Sequence, residues 1–144
     1  MVDPPNCSGV NYGQVVRVPW VLANFAATAA YQTGFYRAYK AKGKADKVYV
    51  TSYSGDGGTY DIGLQSLSGA AERGESIIWL CYNNEAYMNT GIQRSGSTPQ
   101  FAATTTTPVG SLWKGKPQRR KNMLMIMAAH RIPYIASASL AYIP

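Results

Sequence analysis

The sequence predicts an α/β fold: a parallel sheet with flanking helices. Three observations carry this. Residues 48–54 (Val-Tyr-Val-Thr-Ser-Tyr-Ser) are rich in β-branched and aromatic side chains. Residues 76–82 (Ser-Ile-Ile-Trp-Leu-Cys-Tyr) form a continuous apolar run, as expected of a strand buried on both faces. Between them Ile62, Leu64, Leu67, Ala70 and Ala71 recur at helical spacing. Strand, helix and strand at this spacing make a right-handed crossover between parallel strands.

The remaining elements follow in order. Residues 1–17 show no period and contain Pro4, Pro5, Gly9 and Gly13, which predicts an extended loop. Pro19 suits the first turn of a helix. Val21, Leu22, Phe25, Ala29, Gln32, Tyr36 and Tyr39 then give a mostly apolar face, ending near Gly43. After the second strand, residues 83–112 are polar and rich in Thr, Ser, Gly and Asn, a long loop of the kind that usually carries function. Met123, Leu124, Ile126, Met127 and Ala128 return to helical character, and residues 134–137 read as a third strand. The five methionines read as core filler.

Composition bounds the function. Of 144 residues, 46% are apolar and 15% charged, which suits one domain with a buried core and excludes a disordered chain. No run of about 18 apolar residues is present, so no membrane span is expected. The first residues lack a signal-peptide pattern, and a cytoplasmic location is the expectation. Cys7 and Cys81 are too few for a disulfide framework, and Cys81, inside a strand, reads as a core thiol. The net charge of +7 concentrates at residues 37–47 and 114–121. These runs read as solvated connections rather than a nucleic-acid surface, because no aromatic residues interleave with them.

In an open parallel sheet, ligands bind beyond the carboxyl ends of the strands. The first strand here runs into Gly55-Asp56-Gly57-Gly58 and the second into Asn83-Asn84-Glu85-Ala86. Adjacent strands would bring Asp56 and Asn84 together across 28 positions. Mg²⁺ takes six oxygens in near-octahedral geometry. Asp56 offers a carboxylate oxygen, Asn84 an amide oxygen, and the following turn a backbone carbonyl. Glycines let backbone N–H groups approach a diphosphate closely. A lone Gly-Asp-Gly-Gly is a common turn, and the paired occurrence at two strand ends is what makes the signal specific.

Gly55-Asp56-Gly57 followed by Asn83-Asn84 resembles the thiamine diphosphate signature. The stretches 55–70 and 84–99, the threonines 104–107 and the segment 127–134 resemble the β subunit of the 2-oxoacid:ferredoxin oxidoreductase family, pyruvate:ferredoxin oxidoreductase in particular. The resemblance covers nearly the whole chain from Asn6. It implies a partial thiamine-diphosphate-binding fold, with residues 1–144 a single such domain and a portion of a longer subunit. Asp56, Asn84 and the Ala86 carbonyl would ligate Mg²⁺. Gly55, Gly57, Gly58 and Thr90 would line the diphosphate. Asn89 would sit by the thiazolium and the substrate carboxylate. Cys7 would be one of four ligands to a 4Fe-4S cluster.

The implied activity is oxidative decarboxylation of pyruvate to acetyl-coenzyme A, with electrons passed to ferredoxin. Partner subunits would supply the pyrimidine half of the cofactor site and its activating glutamate, so Glu85 need not be a ligand. The chain departs from the family in lacking a Cys-x-x-Cys pair ahead of Cys7 and a later fourth cysteine. Two rivals follow: a non-catalytic structural subunit that has lost cluster ligands, or a relative acting on branched-chain 2-oxoacids or oxalate. A non-redox thiamine enzyme fits the 84–99 stretch less well. His130 reads as a helix-end residue, and Arg17 either lines the cofactor region or anchors the first helix.

Overall fold

The β-branched and aromatic run that starts at Val48 does become a strand, although the paired part begins three residues later. The computed structural model describes residues 1–7 and 16–141. Its elements are β1 (Val2–Asp3), β2 (Val21–Leu22), α1 (Thr28–Ala41), a 3₁₀ turn (Ala45–Lys47), β3 (Thr51–Gly55) and a π-helical turn (Gly57–Asp61). There follow α2 (Leu64–Glu72), β4 (Ile78–Tyr82), β5 (Ala86–Tyr87), β6 (Gln93–Arg94) and α3 (Met123–Ala128).

The expected crossover is present. β3 and β4 are parallel, in register from Thr51↔Ile78 to Gly55↔Tyr82, with α2 between them in sequence. The periodic face of α2 explains its packing: Leu67 and Ala70 are buried against Ala29 of α1 and Met123 and Met127 of α3, with Trp79 and Ile77 at the margin. A smaller cluster gathers Val2, Ala23 and Val50, and Ile77 borders both clusters. Gln32 of α1 reaches between the strands, its Nε2 donating to the Val50 carbonyl at 3.3 Å and the Ile78 carbonyl at 3.1 Å.

Five sequence expectations are corrected, the last of them in part. The helix does not open at Pro19: Val21 N donates to the Met1 carbonyl at 3.1 Å and Ala23 N to the Asp3 carbonyl at 2.8 Å. These bonds make β1 and β2 a parallel pair. Backbone groups spent on a neighbouring strand are not free for a helix, so α1 starts at Thr28. β4 is not buried on both faces. Ile78 and Leu80 are 43% and 51% exposed, because no further element covers that face among the described residues. Cys81 likewise keeps solvent-accessible surface and is a free thiol, not a core one. The protein around its sulfur still pushes the thiol pKa up to about 11. Residues 134–137 form no strand: they are exposed and pair with no strand among the described residues. Of the methionines, Met123 and Met127 fill the core as expected, whereas Met88 and Met125 are exposed.

Within the long polar segment, β5 and β6 pair antiparallel as a short hairpin. No described helix is long and apolar enough to cross a membrane.

Candidate functional site

Parallel pairing that ends at Gly55↔Tyr82 brings both strands to the same edge, so Asp56 and Asn84 leave the sheet side by side. Asp56 is 3% exposed. Its Oδ2 accepts hydrogen bonds from the Ser95 hydroxyl and, at 2.7 Å, from the Ser97 hydroxyl. Its Oδ1 is turned the other way, toward Asn84.

Asn84 is the centre of the arrangement. One terminal atom of its amide stands 3.0 Å from Asp56 Oδ1 and 2.8 Å from the Ala86 carbonyl oxygen. The other stands 3.5 Å from Cys7 Sγ. Which of the two is nitrogen follows from the surroundings rather than from the positions themselves. With nitrogen on the inner side, the amide donates to both oxygens. With oxygen there, three oxygens converge at contact distances, which is stable only with a cation among them. Adjacent ligands of an octahedral Mg²⁺ at 2.0–2.1 Å lie about 3 Å apart. The separations of 3.0 and 2.8 Å match that edge length. The donor set also fits the ion: one carboxylate, one amide and one backbone carbonyl, all hard oxygens.

Local backbone chemistry explains how Asn84 and Ala86 reach the same point. Glu85 between them has φ +67°. That left-handed conformation is costly for a residue with a Cβ. Two hydrogen bonds hold it: Glu85 N donates to Asn83 Oδ1 at 2.9 Å, and the Glu85 carbonyl accepts from the Thr98 hydroxyl at 2.5 Å. Glu85's own carboxylate points outward to Arg120, 3.3 Å away.

The glycines are required by close approach. A Cβ on Gly57 would lie 1.9 Å from the ring of Tyr87, and one on Gly63 would lie 1.8 Å from the Gly58 carbonyl. Tyr87 is fixed over Gly57 by its hydroxyl, which donates to Asp61 Oδ2 at 2.9 Å. Burial, then that bond, holds the phenol protonated well above its ordinary range. Asp61 also accepts from Gly96 N and from Lys121, each at 2.8 Å. A cleft of about 250 Å³ opens beside these residues, lined by Asp61, Tyr87, Arg94, Ser95 and Gly96.

The structure therefore brings Gly55, Asp56, Gly57, Gly58, Asn84 and Ala86 into one place, with Cys7 beside Asn84. Asn89 and Thr90 stand apart on the exposed turn between β5 and β6. The Thr90 hydroxyl is spent on Gln93 Oε1 at 2.5 Å within that turn. Cys7 and Cys81 are both free, and no group of three or more His, Cys, Asp or Glu side chains occurs among the described residues. His130 lies just past α3, its ring between the Ser68 hydroxyl at 2.8 Å and the Ile126 carbonyl at 2.9 Å, a helix-end residue as expected. Arg17 is exposed.

Sequence reasoning missed Ser95, Ser97, Thr98 and Lys116. Lys116 was grouped with a solvated basic run, yet it is 1% exposed and donates to the Thr98 carbonyl at 2.7 Å. Burial, with Arg94 nearby, lowers its pKa. The one available signal was the compact Ser-Gly-Ser-Thr at 95–98, whose partners lie too far along the chain for spacing to reveal.

Comparison with known proteins identifies the family. The profile of the C-terminal TPP-binding domain of thiamine pyrophosphate enzymes matches residues 9–141. The chain is 58% identical over 126 residues to pyruvate synthase subunit PorB of Methanothermobacter thermautotrophicus, covering 88% of this chain and 43% of that one. It is 53% identical to the PorB subunit of Thermotoga maritima, covering 86% and 40%. It is 45% identical to the β subunit of NADH-dependent phenylglyoxylate dehydrogenase of Aromatoleum evansii, covering 99% and 33%. A similar fold occurs in 2-oxoglutarate:ferredoxin oxidoreductase from Magnetococcus marinus, with TM-score 0.75 and 22% identity over 90% of this chain and 40% of that one. The chain thus spans well under half the length of these relatives. The profile match over residues 9–141, together with relatives up to 58% identical over 88% of the chain, leads to one assignment: the chain belongs to the thiamine pyrophosphate enzymes, as a TPP-binding domain.

Proposed function

We propose that this chain holds the diphosphate of thiamine diphosphate through Mg²⁺ in a 2-oxoacid:ferredoxin oxidoreductase, with pyruvate as the 2-oxoacid. The observation that carries the reading is the convergence of Asp56 Oδ1, the Asn84 amide and the Ala86 carbonyl at octahedral-edge distances. Asp56, Asn84 and Ala86 would ligate the metal, and the bare backbone at Gly55, Gly57 and Gly58 would admit the diphosphate. Bound thiamine diphosphate supplies an electron sink for decarboxylating a 2-oxoacid. The chain's own contribution is to bind, to orient and to exclude water. Thr90 would contribute to the diphosphate lining by turning its hydroxyl away from Gln93. Asn89 would donate its amide to the substrate carboxylate or to the oxygen that gains charge.

The choice of pyruvate is supported by the PorB relatives, at 58% and 53% identity. The phenylglyoxylate relative, at 45%, keeps aromatic 2-oxoacids as the second reading. Partner subunits, ferredoxin and coenzyme A complete the proposal. Cys7, 3.5 Å from the Asn84 amide, would ligate a 4Fe-4S cluster next to the cofactor, with the three other thiolates supplied from outside these 144 residues. The intact Asp56–Asn84 pair favours a catalytic subunit over a structural one.

Calorimetry of thiamine diphosphate binding to the assembled complex tests the reading. Asp56→Ala is expected to abolish the Mg²⁺-dependent affinity. Unchanged affinity overturns the metal assignment.

A further inference from the structure

Two distant stretches of chain must be held in register for the metal-binding oxygens to converge: Asp56 after β3, and residues 84–86 after β4. Both are fastened to the same third segment. On one side Ser95 and Ser97 donate their hydroxyls to Asp56 Oδ2. On the other Thr98 donates its hydroxyl to the carbonyl of Glu85, the left-handed residue between Asn84 and Ala86. The segment is itself rigid. Ser95 N donates to Thr98 Oγ1 at 2.9 Å, and the Ser95 and Ser97 hydroxyls lie 2.8 Å apart. Ser95, Ser97 and Thr98 are all 2% exposed or less. From behind, the buried Lys116 donates to the Thr98 carbonyl at 2.7 Å. Its backbone is locked to the next turn by Phe101 N at 2.8 Å and by the Ala102 carbonyl at 3.1 Å.

We propose that the Ser95–Thr98 turn, braced by Lys116, is the positioning device of the metal site: it aims Asp56 Oδ1 and sets the Asn84–Ala86 arc. The chemistry explains the residue types. A carboxylate has two oxygens; saturating Oδ2 with two hydroxyl donors leaves Oδ1 for the cation and fixes the side-chain torsion. The carbonyl of Glu85 cannot be held by a neighbour in sequence without unwinding the left-handed turn, so a hydroxyl from across the hairpin holds it. Such outer partners contribute to metal affinity without touching the metal. The inference rests on the Mg²⁺ reading above.

The test uses the complete protein assembled with its partner subunits. Thr98→Val removes the hydroxyl at nearly constant volume, Thr98→Ser restores it, and Ser97→Ala deletes one donor to Asp56. Titration of thiamine diphosphate at fixed Mg²⁺ is expected to show affinity lowered about 10- to 100-fold in Thr98→Val and Ser97→Ala, with Thr98→Ser close to the parent. Mn²⁺ in place of Mg²⁺ gives a second readout: its paramagnetic resonance lines broaden in the two defective variants as the ligand geometry becomes heterogeneous. Thermal stability without ligand reports a purely structural role and is expected to change far less than the affinity. If Asp56→Ala abolishes binding while Thr98→Val and Ser97→Ala bind like the parent, the metal assignment stands and the positioning role is wrong. If Asp56→Ala leaves binding unchanged, the metal assignment falls and this inference with it. Should Thr98→Val fail to assemble, Ser97→Ala decides by the same titration.

Discussion

Asn89 shows how one residue can be exposed in the chain and still be proposed for chemistry. It stands exposed on the turn between β5 and β6, three residues past Ala86. An amide donor to a developing oxyanion typically contributes about 10²–10³ in rate. Asn89→Ala in the assembled complex is therefore expected to lower turnover by about that factor, with thiamine diphosphate affinity nearly constant. Steady-state kinetics beside calorimetry separates the roles, since collapsed affinity with normal turnover at saturation makes Asn89 a turn residue only. Asp56 is the opposite case. It is buried, and its two oxygens face different partners: Oδ2 accepts from Ser95 and Ser97, while Oδ1 stands 3.0 Å from the Asn84 amide and is the one proposed as the metal ligand.

At the scale of elements, α1, α2 and β4 are clamped by Glu75, on the link between α2 and β4. Its side chain is 2% exposed and takes Arg37 of α1 at 2.8 Å and Arg73, just past α2, at 3.2 Å. Burial alone would raise the carboxyl pKa; the two guanidinium groups overcome it and hold the group below its ordinary value. A carboxylate with a depressed folded pKa stabilises the fold above its unfolded pKa, and the stability is lost as pH falls through the folded value. Glu75→Gln is thus expected to lower denaturation stability at pH 7, and the gap to the parent should close below about pH 4. A gap independent of pH would show that the ion pairs contribute little and that only shape matters.

For the whole molecule, the distribution of apolar surface is informative. Leu112, Trp113, Met125, Tyr134 and Leu140 are 67–92% exposed, and β4 shows Ile78 and Leu80 to solvent. On the proposed reading, in which the chain works with partner subunits, a contiguous patch of such groups would be a candidate contact surface. The described residues also lack any group of three candidate cluster ligands, and a 4Fe-4S centre needs four. The purified 144-residue chain is accordingly expected to show no pyruvate-dependent reduction of a viologen dye. Robust turnover by that chain alone would overturn both the partner-subunit and the shared-cluster proposals.

Local chemistry was enough to find the crossover, since the strand runs at 48–54 and 76–82 and the 3.6-residue period between them report only on neighbours in sequence. The Gly-Asp-Gly-Gly and Asn-Asn motifs were legible for the same reason: each sits at a strand end, and parallel strands place their ends together. Tertiary structure alone decided the rest. Pro19 reads as a helix start until β1 claims the backbone of Val21 and Ala23. Cys81 and Ile78 read as core until the sheet stops at β4. Lys116 reads as surface because nothing nearby in sequence shows that Thr98 needs a donor. The Ser95–Thr98 bolt joins Asp56, 39 residues away from Ser95, to Glu85. Hydrogen bonds of that separation depend on where the backbone passes in space, and residue order does not encode that position locally.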